Sequence, residues 1–444
     1  MENQDKELLE RVREQFNSLP YPSNSIEASH ERDIPFLYIH SLVTAFYVRN
    51  KQVINPADKV ILDAGCGSGY KALGLAQANP GAKIVGVDIS ERSVELAEKR
   101  LRYHGIDNGE FVALALEDLP QLGRQFDYIN CDETFYLVKD QVAALKAMKA
   151  VLKPDGILRI NLHSLHGRTV VFRAQEVFRE MGLFDENPEE FALGVVRDMM
   201  NALKDDVLLK KISWKENSEA IYDDCSIMVN YLLVGDRGFT IPELFSFLRA
   251  ADLEFIEMVR WRNWNFNALF KEPDNLPVSL GLIFSEATLE DKLHLFELLH
   301  PVNRLLDIWC GHPQSQPPAL PVSEWTPEDW QGVTVHLHPL LKRESFEQAL
   351  LESIQKMQPF DIYSHFPLGQ PESFIDSTIA ACVFPALLEQ PQSLSALVQR
   401  WQVLHPVHPA TLQPMGTEEA RELLQQVLIT LESGGYVLLQ RERH

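Results

Sequence analysis

Residues 59–90 read KVILDAGCGSGYKALGLAQANPGAKIVGVDIS. The run Val60-Ile61-Leu62 suits a buried strand, and it ends at Asp63-Ala64-Gly65-Cys66-Gly67-Ser68-Gly69. Tyr70–Ala78 then favours a helix, Asn79-Pro80-Gly81 a turn, and Lys83–Val87 a second strand closing on Asp88. Gly65, Gly67 and Gly69 permit a turn too tight for a Cβ and bring a ligand against the helix start. Asp88 lies about 20 residues beyond them, where an acid can accept both hydroxyls of a ribose. The turn is not a P-loop: Lys71 follows Gly69 without the Gly-Lys-Ser/Thr order. Asp63, just ahead of the glycines, would repel a pyrophosphate and attract a ligand carrying an ammonium and a sulfonium.

Strand and helix continue to alternate outward from this unit. Ser90 is a good N-cap for the amphipathic run ERSVELAEKRLRYHG. Glu110–Leu116, Phe126–Asn130 and Gly156–Leu162 read as strands, Lys139–Leu152 as a helix, and Pro154-Asp155-Gly156 as a turn. Repeated β-α units imply a mostly parallel sheet with helices on both faces and ligands beyond the strands' carboxyl ends. Residues 163–235 are mainly helical, with Asp224–Leu233 expected to extend the sheet. Thr240 caps a short helix and Glu254–Arg260 reads as a further strand.

Before this core, residues 1–55 form a helical cap. Leu8, Leu9, Val12 and Phe16 give one apolar face, and two prolines near Tyr21 end the helix. A second helix is expected from about Pro35 to Arg49. Either Tyr21 or Tyr38 could line the cofactor cleft, Tyr21 being the better placed. After Phe270 the β-α alternation fails. Residues 284–310 read as helices, and Gly311–Pro321 as a proline-rich linker. Helices near 344–357, 393–402 and 417–433 then precede a strand, YVLLQR. That makes a mainly helical, winged-helix-like C-terminal domain, suited to protein contact or dimerisation because its helices lack a basic face.

The 444 residues suit two domains plus a cap, and 45% hydrophobic with 23% charged residues is ordinary for a globular chain. A net charge of -22 disfavours nucleic acid; it serves solubility in the plainer reading and attracts a basic or amphipathic protein partner in the sharper one. No apolar run approaches the roughly 20 residues that span a bilayer, and the charged N-terminus lacks a signal peptide's apolar segment. A cytoplasmic protein without membrane contact is expected. Five scattered cysteines form no CxxC pair, so neither zinc nor a disulfide framework is expected.

ILDAGCGSG, GVDIS, EDLP, FDYI and LKPDGILRI, in this order and spacing, resemble the class I S-adenosylmethionine-dependent methyltransferases over roughly residues 56–265. The resemblance implies a Rossmann-like, doubly wound α/β fold with a seven-stranded sheet. Domains are then expected at 1–55 (cap), 56–270 (cofactor domain, helical insertion about 165–220) and 271–444 (substrate-binding or regulatory). It also implies that Gly65–Gly69 pack against the methionine part of S-adenosylmethionine, with Asp63 near its ammonium. Asp88 would take the ribose hydroxyls and Ile89 flank the adenine. Relatives place an acid for the adenine amine where Ala115 stands here, so Glu117 or Asp118 is the substitute. PYPSNSIE, LEDLPQLGRQFDYINCDETFYLV, NLHSLHGR and LLVGDRGFTIPELFSFLRAADLEF are similar to a narrower bacterial group. Some of that group carry a C-terminal regulatory domain and methylate protein lysines, and the N-terminal part looks cyanobacterial.

Methyl transfer mainly requires an acceptor held on the methyl axis, and the loop after the fourth strand is where relatives hold an amine. Here it reads Asn130-Cys131-Asp132-Glu133-Thr134-Phe135-Tyr136. Asp132 or Glu133 is expected to accept a hydrogen bond from the acceptor nitrogen, with Phe135 or Tyr136 walling the methyl path. Simple solvated or helix-capping acids are the blander reading. His163, His166 and Arg168, after the fifth strand, are expected to be structural or to shape the substrate site, a general base among them being the alternative. Three functions follow: methylation of a protein side-chain nitrogen (a phycobiliprotein asparagine being the narrowest candidate), methylation of a small molecule on N or O, and cofactor-binding regulation without turnover.

Overall fold

The structure, a computed structural model, describes residues 2–188, 190–214, 223–315, 319–368, 373–408 and 411–441, with side chains from residue 9 onward. It divides into two compact units: residues 1–29, 57–76 and 81–314 form one, and residues 30–56, 77–80 and 315–444 the other.

The first unit opens with helix α1 (Glu2–Ser18); α2 (Ile34–Ile39) and α3 (Leu42–Asn50) belong to the second. Then come β1 (Val60–Ala64), α4 (Tyr70–Ala78), β2 (Lys83–Asp88), α5 (Glu91–Tyr103), β3 (Glu110–Ala113), β4 (Phe126–Cys131), α6 (Gln141–Val151) and β5 (Leu152–His163). An insertion follows, with α7 (Thr169–Glu180), α8 (Glu190–Ala202), α9 (Leu208–Ser213) and α10 (Asp224–Tyr231), before α11 (Ile241–Ala250) and β6 (Glu254–Met258). Helices α12 (Val278–Glu286) and α13 (Leu289–Leu299) lead to β7 (Leu305–Gly311). The strand order is β3-β2-β1-β4-β5-β7-β6. The pairings among β1 to β5 are parallel, and β7 runs antiparallel to both β5 and β6. The chain order reverses between β1 and β4, and at such a switch point open sheets bind their ligands.

Two expectations about elements are corrected. Asp224–Leu233 does not extend the sheet: it is helix α10, capped by Asp223, whose carboxylate accepts from the Ser226 N–H at 2.9 Å. That cap starts a helix, and Ile227, Met228 and Tyr231 join Phe178, Val196 and Met200 in a core that the insertion builds for itself. Residues 284–310 are not all helical either. Helix α13 stops at His300-Pro301, and Leu305–Gly311 becomes the seventh strand, with Ile308 and Cys310 fully buried. The sheet unit therefore runs to Gln314 rather than to 270.

The second unit holds a three-stranded antiparallel sheet in which β8 (Thr334–Leu337) lies between β11 (Gln392–Ser393) and β12 (Val437–Gln440). A small pair, β9 (Phe360–Asp361) and β10 (Phe374–Ile375), follows α14 (Glu344–Gln355). The run α15 (Ser377–Glu389), β11, α16 (Leu394–Leu404), α17 (Thr417–Ser433), β12 is a helix–strand–helix–helix–strand order, compatible with the winged-helix-like expectation. The segment expected as one cap over 1–55 is divided, since residues 30–56 pack here. Tyr47 donates to Glu432 at 2.9 Å and accepts from the Leu439 N–H at 3.0 Å. Tyr38 stands beside His338 and Phe366 in this unit and does not line the cofactor cleft. Of the expected linker, Gly311 closes β7 and residues 316–318 lie outside the described residues.

Candidate active site

The turn after β1 is tied to the end of β2. The Gly65 and Cys66 N–H groups both donate to the Val87 carbonyl at 2.8 Å. The Gly67 N–H donates to one oxygen of Asp88 and the Ser90 N–H to the other, each at 2.9 Å. Asp88 is thus clamped between the turn and the start of α5, while burial pushes its carboxyl above the ordinary range against those two hydrogen bonds. The glycines answer to protein neighbours. A Cβ on Gly65, at φ +85°, would meet Thr134 Oγ1 at 2.2 Å, and one on Gly67 the Tyr21 carbonyl at 2.2 Å. The Tyr21–Pro22 segment is laid over the turn by the Ser68 N–H on the Tyr21 carbonyl (3.0 Å) and Ser68 Oγ on that of Pro22 (2.7 Å). Buried Arg100 fastens both sides, donating to the Ser68 carbonyl at 3.0 Å and the Asn24 carbonyl at 2.8 Å.

These elements enclose a cavity of about 650 Å³. Helix α1 contributes Leu9, Val12 and Phe16; the turn contributes Gly65, Cys66 and Gly67; Asp88 and Ile89 come from the end of β2. Leu114, Leu116 and Glu117 form one end, and Lys71, Asp132, Glu133, Thr134 and Tyr21 also line it. Of the residues expected at the site, Tyr21, Gly65, Gly67, Asp88, Ile89, Glu117, Asp132 and Glu133 face the cavity. Gly69 lies behind it, packed on Ala97 of α5. Asp118 is exposed and accepts from Gln121 at 2.9 Å, which leaves Glu117 as the acid at that end. Phe135 and Tyr136 are buried behind the loop; Thr134, Leu137 and Val138 are the wall. All five cysteines are buried thiols outside any disulfide, and burial pushes the Cys66 thiol up.

Beneath the turn, Asp63 is 1% exposed. Its Oδ1 accepts from Asn130 at 2.8 Å, whereas its buried Oδ2 has no hydrogen-bond partner among the described residues. Burial, only partly offset by Asn130, pushes its pKa to about 6. Next to it runs a polar network that composition does not announce. Lys71 Nζ pairs with Asp132 Oδ2 at 2.9 Å and donates to the Asp132 carbonyl at 3.1 Å. Asn161 donates to Asp132 Oδ1 at 2.5 Å, and Arg159 lies 3.5 Å from Oδ2 while gripping Asp307 of β7 through two bonds of 2.9 and 2.8 Å. Asp132 is therefore committed to the protein, and Lys71 is a cavity-facing cation that sequence reasoning used only to exclude a P-loop.

Glu133 is the other acid of the loop, at φ +61°. Its N–H donates to Asn161 Oδ1 at 2.8 Å; its carboxylate pairs with Arg304 and accepts from Tyr136 Oη at 3.1 Å. Burial works to raise its pKa, but the Arg304 charge and the nearby His163 ring hold it well below the ordinary range. Burial, followed by the Glu133 charge, pushes the neighbouring Tyr21 hydroxyl up to about 12. Among the described residues no cluster of His, Cys, Asp or Glu could hold a metal ion, and no helix is long and apolar enough to cross a membrane.

A seven-stranded sheet of this order, with a glycine turn after β1 and an acid closing β2, defines an α/β domain of the methyltransferase type. Residues 55–218 match the family described as a methyltransferase domain. An uncharacterized protein of Synechococcus is 26% identical over 273 residues, 61% of this chain and 63% of its own. A ubiquinone biosynthesis O-methyltransferase of Haemophilus ducreyi is 29% identical over 167 residues, 36% of this chain and 64% of its own. The chain thus spans somewhat under two thirds of the length of these curated relatives. Among solved structures, PKMT2 from Rickettsia typhi has the same fold at a TM-score of 0.58 and 19% identity, over 91% of this chain and 75% of that one. Its complex with AdoHcy gives 0.58 at 18% identity, over 96% and 78%. The stretch 55–218 thus matches a methyltransferase domain, and the sheet around it has the fold of these solved structures.

Proposed function

We propose that this protein transfers the methyl group of S-adenosylmethionine to a side-chain nitrogen of a protein substrate. The observation that carries the cofactor part is the buried Oδ2 of Asp63, without a hydrogen-bond partner among the described residues, just before the turn whose Gly65, Cys66 and Gly67 line the cavity with Asp88. A buried carboxylate oxygen left without a partner is costly, and an ammonium relieves it. The residues present fit the whole cofactor. Asp63 would take the ammonium, Lys71 the carboxylate, Asp88 the ribose hydroxyls and Glu117 the adenine amine, between Ile89, Leu114 and Leu116.

The cofactor, when bound, supplies an electrophilic methyl group on a sulfonium. What the chain must do is bind, orient and dry the acceptor, effects worth up to about 7–11 kcal/mol in model reactions. Glu133 is well suited to orienting it. The carboxylate stays ionised beside Arg304 and faces the cavity, so it can accept a hydrogen bond from the acceptor N–H and aim the lone pair. Asp132 holds Lys71 and the loop, and Tyr136 supports Glu133 from behind. A protein acceptor is supported by a second unit larger than cofactor binding needs, and by a net charge of -22 that draws basic partners. The relative named for ubiquinone biosynthesis favours a small-molecule oxygen acceptor as the second reading.

The test is incubation with methyl-labelled S-adenosylmethionine and a fractionated bacterial lysate, with Asp88→Ala as the blank. Label in a protein band supports the proposal. Label in a small molecule moves the function to the second reading, and label nowhere overturns both.

A further inference from the structure

Behind Glu133 stands a buried constellation that holding the fold together does not explain. His163, at the end of β5 and 2% exposed, places Nδ1 2.6 Å from Asp236 Oδ1 and Nε2 3.7 Å from Glu133 Oε2. Its ring stacks on Tyr136 with centroids 3.6 Å apart and planes 20° from parallel, and the Tyr136 hydroxyl donates to the same Glu133 oxygen. The Asp236 side chain is fully buried; its second oxygen accepts from Gln175 of α7 at 2.9 Å and lies 3.6 Å from Arg168. Arg304 closes the far side. Separate stretches of chain thus converge on one carboxylate, itself carried on a left-handed backbone that non-glycine residues rarely adopt. Buried ionic groups seldom repay their desolvation in stability, and strained backbone collects at sites where position matters more.

We propose that Asp236 and His163 are positioning residues that act through Glu133, fixing its carboxylate on the acceptor side of the cavity to receive a cationic or N–H-bearing nitrogen. The inference rests on the cofactor reading above and deepens it. It names the acceptor class, an amine nitrogen, by the charge that meets it. Asp236 fixes the tilt of the imidazole; the imidazole edge and the stacked Tyr136 hydroxyl then leave Glu133 one orientation.

The test needs no substrate. S-Adenosylhomocysteine is compared with sinefungin, the cofactor analogue in which an amine-bearing carbon replaces the methylated sulfur, by titration calorimetry on the full chain. The wild type should bind the amine analogue more tightly. Glu133→Gln and Asp236→Asn should each cut that preference by about 10- to 100-fold, the range for a lost hydrogen bond to a charged group. Affinity for S-adenosylhomocysteine should hold. The double variant should be no worse than Glu133→Gln alone, because Asp236 acts through Glu133. His163→Gln should behave as Asp236→Asn and serves if that variant does not fold. A preference unchanged in Asp236→Asn and His163→Gln, or losses that multiply in the double variant, overturns the inference. Failure of the wild type to bind either ligand would instead overturn the cofactor reading, and this inference with it.

Discussion

Asp63 is a residue whose two duties pull against each other. Its folded pKa of about 6 stands above the ordinary 3.8, because burial disfavours the charge. A group with a raised folded value gives stability that is complete below its unfolded pKa and lost as pH rises through the folded one. The difference between those two values corresponds to about 3 kcal/mol. Asp63 should therefore weaken the cofactor-free protein above about pH 6, where its charge is what an ammonium needs. Asp63→Asn should melt a few degrees higher than wild type at pH 8, show a flatter profile between about pH 4 and 7, and lose cofactor affinity by about 100-fold, the equivalent of about 3 kcal/mol. Thermal melts across pH, with and without cofactor, check both halves; a lower melting temperature at pH 8 would contradict the account. The steric role of Gly65 is testable separately. Gly65→Ala should cost about 2 kcal/mol or more and abolish cofactor binding, since both its φ of +85° and Thr134 oppose a Cβ. Thr134→Gly should restore only the steric share in urea titrations. Asp63, Asp88 and the glycines were legible because they are neighbours of one turn. Lys71, Asp236 and Arg304 were not: each is an ordinary charged residue until tertiary pairing brings it to the loop after β4, and His163, visible as a residue near the site, gave no sign of its pairing with Asp236.

Among the elements, β7 joins the site to the far edge of the sheet. Arg159 of β5 reaches across to Asp307 of β7 while facing Asp132 on the cavity side. Arg159→Leu should leave buried Asp307 without its two-bonded cation, while Asp132 keeps Lys71, and cost about 3–5 kcal/mol. Adding Asp307→Leu should recover a substantial part of it, measured by urea denaturation; a double variant weaker than the single would refute this. Why β7 escaped the sequence is instructive. The segment LLDIWC is too short to show a period, and it follows a strongly helical stretch, so the helix was carried through His300-Pro301. The opposite error at Asp224–Leu233 has the same root, since a β-rich composition (Ile227, Val229, Tyr231) was outweighed by the Asp223 cap and an apolar helical insertion. Elements with clear punctuation, β1, β2 and β4 with α4 to α6, stand close to where their residues place them, whereas β5 starts at Leu152 and runs through the expected turn at Pro154–Gly156.

For the molecule as a whole, the division into two units does not follow the chain. Residues 30–56 pack with 315–444, so a cut at the proline-rich stretch near 315 cannot release the first unit intact. A fragment ending at Gln314 should expose Leu37, Tyr38, Leu42 and Tyr47, all buried in the full chain. It should aggregate or bind a hydrophobic dye strongly, whereas a fragment lacking 30–56 as well should do so less. Equal dye binding by the two would speak against this division. No signal for it exists in the sequence: the stretch from about Pro35 to Arg49 reads as a helix seeking an apolar surface, and nothing local says which one.

The same interleaving sets a schedule for synthesis. Tyr47 meets Glu432 across 385 residues. At about 5–20 residues per second, the ribosome needs on the order of 20–80 s to make the partner after the first is out. Helices α2 and α3 therefore spend that interval with their apolar faces uncovered, while the strands of the cofactor domain emerge behind them. Completion of the second unit waits for the residues near 432, and the pace of translation through residues 57–314 decides how long a chaperone has something to hold.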